Sequence, residues 1–563
     1  MTLPVIYTPA PGPDDYKVLR ERGYYYVDKT AFIAEVLQNP GQVLLLPRPR
    51  RFGKSLNLST LRYYLEKTDE DRSALFEGLA ITQASAEVQA HQGRYPVIFL
   101  GLKDARSTEW EICRDALRGC LHEALRPHAD LRHSPALSEE DRHQLESLLA
   151  GRASQGELES CLRRLTGWLH AHHGVPAVLL IDEYDAPIEA GYTNGYSHEV
   201  LDFIRNLLGG ALKSNPHLYR GVLTGVRRVS KESLFSGLNN VRVCSVLDTD
   251  FASAFGFIEP EVAAVLDAAG RSAHLDEVRA WYNGYVFGGQ TIYNPWSVLS
   301  FAEQGIIKEY WVSTSSEELL RQLIPANKAG LQGPFEALFH GETVEKVIDE
   351  HVVLRDLQTN PDAIWSFMLT AGYLKAVDVR WEEGQPRVKL AIPNREVMGV
   401  WRRQFVAWLS MGFGGAPLDV QALIDALLRG DARIVQRLLR ILVANVLSYH
   451  DTAMGPDDPE RVYQAFVVGL LCWMEPRWRV RSNRESGYGR ADVLIIPSEP
   501  GRPGVVLETK RLWRDEGETP EGALDAAHAQ MVERGYAAEL EAVGASAVHR
   551  LAVVFDGKMV WVR

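Results

Sequence analysis

The chain has 563 residues, 46% hydrophobic and 24% charged, which is enough apolar content for several cores and implies more than one domain. A formal charge of -12 excludes a protein coated in basic surface, so any contact with nucleic acid has to use local patches. No apolar run reaches bilayer length, the first residues MTLPVIYTPAPGPDD lack the basic start and apolar core of a secretory leader, and five scattered cysteines (113, 120, 161, 244 and 472) show no metal spacing. No membrane partner is expected, and the thiols suit a reducing cytoplasm.

In chain order, YYYVDKTAFIAEVLQ reads as a short extended segment running into an amphipathic helix. VLLLPRPRRFGKSLNLSTLRYYL reads as a buried strand, a loop and a helix beginning near Lys54. Free N–H groups at a helix N-terminus bind phosphate, and a Lys-Ser pair adds a point charge and a magnesium-ligating hydroxyl. Gly53, Lys54 and Ser55 match the end of a Walker A loop; Arg48 stands where the first glycine of that pattern belongs. YPVIFLGL is a second strand, and His172 and His173 fall in what reads as a loop before the third, with a surface role expected. PAVLLIDEYDAPI is a strand buried on both faces that ends in two acids. Asp182 suits the magnesium shell and Glu183 the orientation of an attacking water. The fourth strand, YRGVLTGVRRVSKESLFSGLNNV, carries Thr224 where related ATPases sense the γ-phosphate. Arg227 and Arg228 follow it, either as phosphate contacts, in cis or across a subunit boundary, or as solvated loop residues. Alternating strands and helices argue for a parallel sheet with ligands at the carboxyl ends of its strands.

From about 255 to 415 the pattern turns mainly helical. The aromatics of WYNGYVFG and IYNPWSVL could stack bases, but packing of a helical lid is the expectation for such spacings. PLDVQALIDALLRGDARIVQRLLRILVANVL reads as a helical connector, and DPERVYQAFVVGLLCWM as a helix with Glu460 near its start. SNRESGYGRADVLI and VVLETKRL then read as two strands joined by the turn SEPGRPG. Alternation points Glu508 and Lys510 one way and Thr509 the other, and the hairpin lets Asp492 approach Glu508. Two carboxylates and an ammonium on one wet face make a site for a hard divalent cation and an attacking water. Arg477, Arg479, Arg481, Arg484 and Arg490, interleaved with Trp478 and Tyr488, are either a phosphate-binding row or a charged edge strand. AAHAQMVERGY places Gln530 and Tyr536 on a helix that could cover the sheet.

The order Glu460, SNRESGYGRAD, LETK, Gln530 with Tyr536, then VVFDGK resembles the PD-(D/E)XK nuclease-like domain of the AAA-ATPase-like family of bacteria and archaea. YYVDKT and RPRRFGKSL resemble the same family's approach to its phosphate loop, so the resemblance covers nearly the whole chain. It implies an α/β fold with four parts. These are a P-loop NTPase core (1–255), a mainly helical lid and linking region that is winged-helix-like in part (256–415), a helical connector (416–455) and a restriction-endonuclease-like α/β domain (456–563). It further implies ATP and Mg2+ at Arg51, Phe52, Gly53, Lys54, Ser55, Asp182 and Thr224, with Glu183 catalytic. At the second site it implies Mg2+ or Mn2+ on Asp492 and Glu508, with Glu460 and Lys510 completing the catalytic set. The function implied is an ATP-regulated, metal-dependent nuclease on DNA or RNA, tied to defence or mobile elements, in a homo-oligomer. The alternative is a nucleotide-dependent switch whose nuclease-like domain binds nucleic acid or a protein without cutting.

Overall fold

The computed structural model describes residues 8–563 apart from 228–239, 312–331, 402–419 and 451–473, and short stretches at 340, 351, 353–355, 357–359, 361, 475–476, 487–488, 514–516 and 557–558. Two compact units form, one from residues 1–313 with 343–397 and one from 314–342 with 398–563.

The first unit is built on five parallel strands: β1 (Val43–Pro47), β2 (Val97–Gly101), β3 (Ala177–Asp182), β4 (Leu218–Gly225) and β5 (Val241–Val243), in the order β2-β3-β4-β1-β5. β1 and β3 are buried at every position, which explains why VLLLP and AVLLID carry no polar alternation. Helices Trp110–Leu125, Gln155–His173 and Ser197–Leu212 pack leucines such as Leu117, Leu165 and Leu207 against Ile98, Leu179 and Leu223 of the sheet. β5 begins at Val241, the last residue of the segment that reads as one long strand from Tyr219; β4 stops at Gly225 and β5 pairs with β1. His172 and His173 lie in the last turn of the Gln155–His173 helix and not in a loop. The apolar spacing of Leu165, Trp168 and Leu169 carries the helix through them, and Gly174, at φ 72°, ends it. In YYYVDKT, Asp28 accepts from the N–H and hydroxyl of Thr30 and from the N–H of Ala80, while Lys29 pairs with Glu261 at 2.7 Å.

Downstream in this unit, helices Glu259–Ala268, Leu275–Tyr282 and Pro295–Gln304 share a core. Among the described residues, the region expected to be mainly helical also holds five strands. β6 (Tyr285–Phe287) and β7 (Gln290–Ile292) form a hairpin. β8 (Val344–Val347), β9 (Lys375–Glu382) and β10 (Gln385–Ala391) form an antiparallel sheet in the order β8-β10-β9. The aromatics of WYNGYVFG pack rather than project, but from a hairpin and not a helix: the rings of Tyr285 and Phe287 lie 4.9 and 5.2 Å from the ring of Phe52.

The second unit holds β11 (Trp478–Ser486), β12 (Gly489–Pro497), β13 (Gly504–Arg511), β14 (Val548–Asp556) and β15 (Met559–Val562), in sequential order. All neighbours are antiparallel except β13 and β14, which are parallel. Helix Pro520–Glu533 covers one face through Ala523, Ala527 and Met531 against Leu494, Val506 and Val554. Helices Val420–Arg429 and Ala432–His450 cover the other, with Leu423, Leu427 and Val435 against Val493, Leu507 and Leu551. Among the described residues, no helix is long and apolar enough to cross a membrane.

Candidate nucleotide and metal sites

β1 ends at Pro47, the loop runs from Arg48 to Gly53, and the Lys54–Leu65 helix follows. Gly53 takes φ 79°, and no atom lies within 4 Å of where a Cβ would sit, so the mouth of the helix is open. Arg51, also at positive φ (69°), stacks its guanidinium 4.0 Å from the ring of Trp296. The ring of Phe52 is buried between Tyr285 and Phe287, so of the loop positions expected to hold nucleotide it offers its backbone and not its side chain. Ser55 lies half-buried in the first turn of the helix. The Lys54 ammonium is buried and donates to the carbonyls of Arg48 and Pro49 at 3.0 and 2.9 Å. Burial pushes its pKa down, and the nearby Asp182, Asp185 and Glu183 offset part of that.

Arg48 explains the missing glycine. Its side chain is fully buried, and Nη1 donates to the carbonyls of Pro47 and Cys244 at 2.8 and 2.7 Å while Nη2 reaches that of Phe251 at 3.3 Å. The rings of Phe255 and Phe287 lie 5.2 and 5.4 Å from it. Desolvation lowers its pKa to about 10, so it stays charged at neutral pH. Arg48→Ala leaves those carbonyls buried without a donor and opens a cavity; a loss of about 2–4 kcal/mol is expected in urea unfolding.

Because β4 lies between β1 and β3, its end sits between Lys54 and the acids of β3. Thr224 donates to Asp182 Oδ1 at 2.6 Å, and the N–H of Glu183 reaches the same oxygen at 3.0 Å. Glu183 takes φ 51°, a strained turn for a residue with a Cβ, and its carboxylate lies 3.4 Å from Arg106. Burial, ahead of all other causes, raises its pKa. Two acids that sequence reasoning passed over follow in the same run, DEYDAPIE. Asp185 accepts from the N–H groups of Val226 and Arg227, both at 3.0 Å, and Glu189 pairs with Arg50 and Arg227 at 3.3 and 3.5 Å. Their spacing along one strand end and one helix turn was the available signal. Arg228 lies outside the described residues. An open helix mouth, a buried ammonium and an acid pair fit a magnesium nucleotide.

In the second unit, the β12–β13 ladder runs from Ile495 with Val505 to Val493 with Leu507 and stops there, while β13 stays paired to β14 through Arg511. Asp492 and Glu508 sit just where the two strands part. Asp492 Oδ2 takes the N–H and the hydroxyl of Thr509, each at 2.7 Å, so a side chain replaces the ladder at that point. Thr509 is thus a positioning residue that alternation alone hides. Glu508 is 3% exposed; Oε1 accepts from Gln530, which also reaches the Tyr536 hydroxyl at 3.3 Å. Among the described residues, Glu508 Oε2 has no hydrogen-bond partner. Burial, then the charge of Asp492, raises the Glu508 pKa to about 8, opposed first by the nearby backbone N–H of Asp492 and then by Lys510. Glu460 lies outside the described residues, and among those described no group of three His, Cys, Asp or Glu is placed to hold a metal. The two carboxylates still fit a hard divalent cation, because a buried carboxylate oxygen without a donor is a vacant ligand.

β11 is the sheet edge, with Arg479 opposite Ile496 and Arg481 opposite Leu494. Alternation therefore puts Arg477, Arg479 and Arg481 on the face that carries Asp492 and Glu508. Trp478 faces the other way; it donates to the carbonyl of Pro503 at 2.7 Å and packs beside the core. The side chains of Arg484, Tyr488 and Arg490 lie outside the described residues. Beyond Lys510, Arg511 stacks 4.5 Å from the ring of Trp513, which is half-exposed.

The chain is 28% identical over 485 residues, 85% of each chain, to an uncharacterised protein encoded in the vnfD 5′ region of Azotobacter chroococcum mcd 1. Residues 11–235 match the family described as predicted AAA-ATPase, and residues 458–563 match the PD-(D/E)XK nuclease superfamily. The chain thus joins an AAA-ATPase-like domain to a C-terminal domain of the PD-(D/E)XK nuclease superfamily.

Proposed function

We propose that the protein is an ATP-regulated, metal-dependent nuclease acting on phosphodiester bonds of nucleic acid. The observation that carries this reading is the buried, unpartnered Oε2 of Glu508 beside Asp492, on the sheet face that also bears Lys510. Asp492, fixed by Thr509, and Glu508, fixed by Gln530, would hold magnesium or manganese with their remaining oxygens. A bound cation lowers the pKa of its water and neutralises charge on the phosphate. Lys510 positions that water or stabilises charge building on the phosphate, and the arginines of β11 track the strand. At the other site, Lys54 and Ser55 hold the β- and γ-phosphates, Asp182 the magnesium shell, Thr224 senses the γ-phosphate and Glu183 orients water. Domain limits near 255, 415 and 455 and a homo-oligomer in the cytoplasm complete the proposal.

The test is cleavage of a panel of DNA and RNA, single and double stranded, with magnesium or manganese, with and without ATP. Cleavage stimulated by ATP supports the reading. Absence of cleavage under every condition, with nucleotide bound, overturns it in favour of a switch that binds without cutting.

Titration of Glu508 gives an independent check. Its folded pKa of about 8 lies above the usual ~4.3 of the unfolded chain. Between those values the folded state holds the extra proton, so the stability this group contributes at low pH is lost as pH rises through about 8. Metal requires the carboxylate, so the rise in unfolding temperature on adding Mn2+ should grow from pH 6 to pH 8.5. In Glu508→Gln both the metal response and this part of the pH dependence should vanish.

A further inference from the structure

The chain passes from the first unit to the second after residue 313 and again after residue 397. Trp311 stands just before the first crossing and Glu396 just before the second, both inside the first unit. One carboxylate oxygen joins them: Glu396 Oε1 accepts the N–H groups of Tyr310 and Trp311 at 2.5 and 2.7 Å. The other oxygen accepts from the hydroxyl of Ser297 at 2.9 Å, in the first turn of the Pro295–Gln304 helix. Glu396 is fully buried, and among the described residues no cation pairs with it. Burial raises its pKa to about 7, opposed first by the N–H of Trp311, then by that of Tyr310 and by Ser297.

A buried acid without a cation costs stability that an apolar side chain would not. What this one holds is a tryptophan that reaches the phosphate loop. Trp311 is 2% exposed, and its indole N–H donates to the carbonyl of Arg50 at 3.1 Å. Its ring lies 5.2 Å from that of Tyr373 and 6.4 Å from that of Tyr285, which packs in turn on Phe52 of the loop. Beside Tyr373, Gly372 takes φ 88°, and a Cβ there would lie 2.9 Å from Cβ of Pro49. Pro49, Arg50 and Phe52 are thus held by Trp311 and the residues packed round it. The carbonyls of Arg48 and Pro49 are held by Lys54, the group that a bound phosphate draws to itself. Lys54 and Trp311 therefore grip the consecutive carbonyls 48 to 50 of one loop.

We propose that Trp311 and Glu396 are positioning residues that carry the state of the phosphate loop to both points where the chain enters the second unit. The inference rests on nucleotide binding at Lys54 and gives the proposed regulation by ATP a route. When a phosphate takes the Lys54 ammonium, the carbonyls of Arg48 and Pro49 lose their donor. The loop then settles on its remaining hold at Arg50, and the change passes through the Trp311 indole and backbone to Glu396.

The experiment is amide hydrogen exchange of the full chain, free and saturated with the β,γ-imido analogue of ATP, after calorimetry has given the affinity of each variant. In the unaltered protein the analogue should change exchange rates in β12 and β13 by about fivefold or more. Trp311→Phe keeps a ring in place and removes the N–H donor. It should weaken the analogue by no more than about tenfold and, when saturated, lose the response in the second unit. Glu396→Gln keeps an oxygen for both N–H groups and should keep the response, whereas Glu396→Ala should lose it. A response in the unaltered protein without any cleavage of nucleic acid supports the coupling and overturns only the nuclease. If saturated Trp311→Phe responds as the unaltered protein does, or if the unaltered protein binds the analogue with no response in the second unit, the coupling is overturned while nucleotide binding stands. If the unaltered protein binds no nucleotide, the reading of the Lys54 site fails and this inference fails with it.

Discussion

Asp492→Asn should lower metal-dependent cleavage by about 10³-fold or more, with the fold intact and nucleic-acid binding retained. Asparagine keeps an oxygen that can accept from the N–H of Thr509, so β12 stays pinned to β13 where their ladder stops. What it loses is the charge that helps hold a divalent cation and that helps keep Glu508 protonated when the cation is absent. The pKa of Glu508 should accordingly fall in this variant, a shift that a carboxyl chemical-shift titration reads without any substrate. Single-turnover cleavage with the metal saturating gives the loss in rate, and filter binding in EDTA shows that the substrate face survives. Equal loss of binding and cleavage would mean that Asp492 is structural.

Lys54→Ala should abolish nucleotide binding or cut hydrolysis by about 10²–10³-fold, because the phosphate clamp loses the buried ammonium at the mouth of its helix. The nucleotide-free fold should tolerate the change better than most buried substitutions. Among the described residues, the ammonium bonds to the carbonyls of Arg48 and Pro49, and burial already disfavours its charge. Its removal therefore deletes a desolvated cation along with two hydrogen bonds. If the nuclease is ATP-regulated, Lys54→Ala should show the cleavage rate of the unaltered protein without ATP, whether or not ATP is added. Stimulation that persists in Lys54→Ala would uncouple the two sites.

The parallel sheet was legible because buried strands such as VLLLP and AVLLID announce themselves by apolar runs, and the C-terminal hairpin because SEPGRPG can only turn. Glu508 and Lys510 could be placed on one face from the two-residue period, and Asp492 near them from the hairpin. The period could not reveal that β12 leaves β13 after Val493, so the anchoring of Asp492 by Thr509 stayed hidden. β5 was missed because three residues carry too little pattern to stand out from the segment before them. His172 and His173 were misplaced because polar residues on the outer face of a helix end look like a loop. Glu189 lies 139 residues from Arg50 and 38 from Arg227 along the chain, and only the fold brings the three together.

Glycine-rich phosphate loops accept their bend through the absence of a side chain, and in such loops the first position forbids bulk. At position 48 the rule is inverted. A forked cation reaches into backbone from Pro47, Cys244 and Phe251, so the bend is enforced by what is present. Glycine there would leave those oxygens facing nothing, and lysine, with a single compact ammonium, could not span them. The position should be among the least forgiving in the loop to saturation mutagenesis, with neither the residue of the standard pattern nor the usual conservative exchange acceptable in place of arginine.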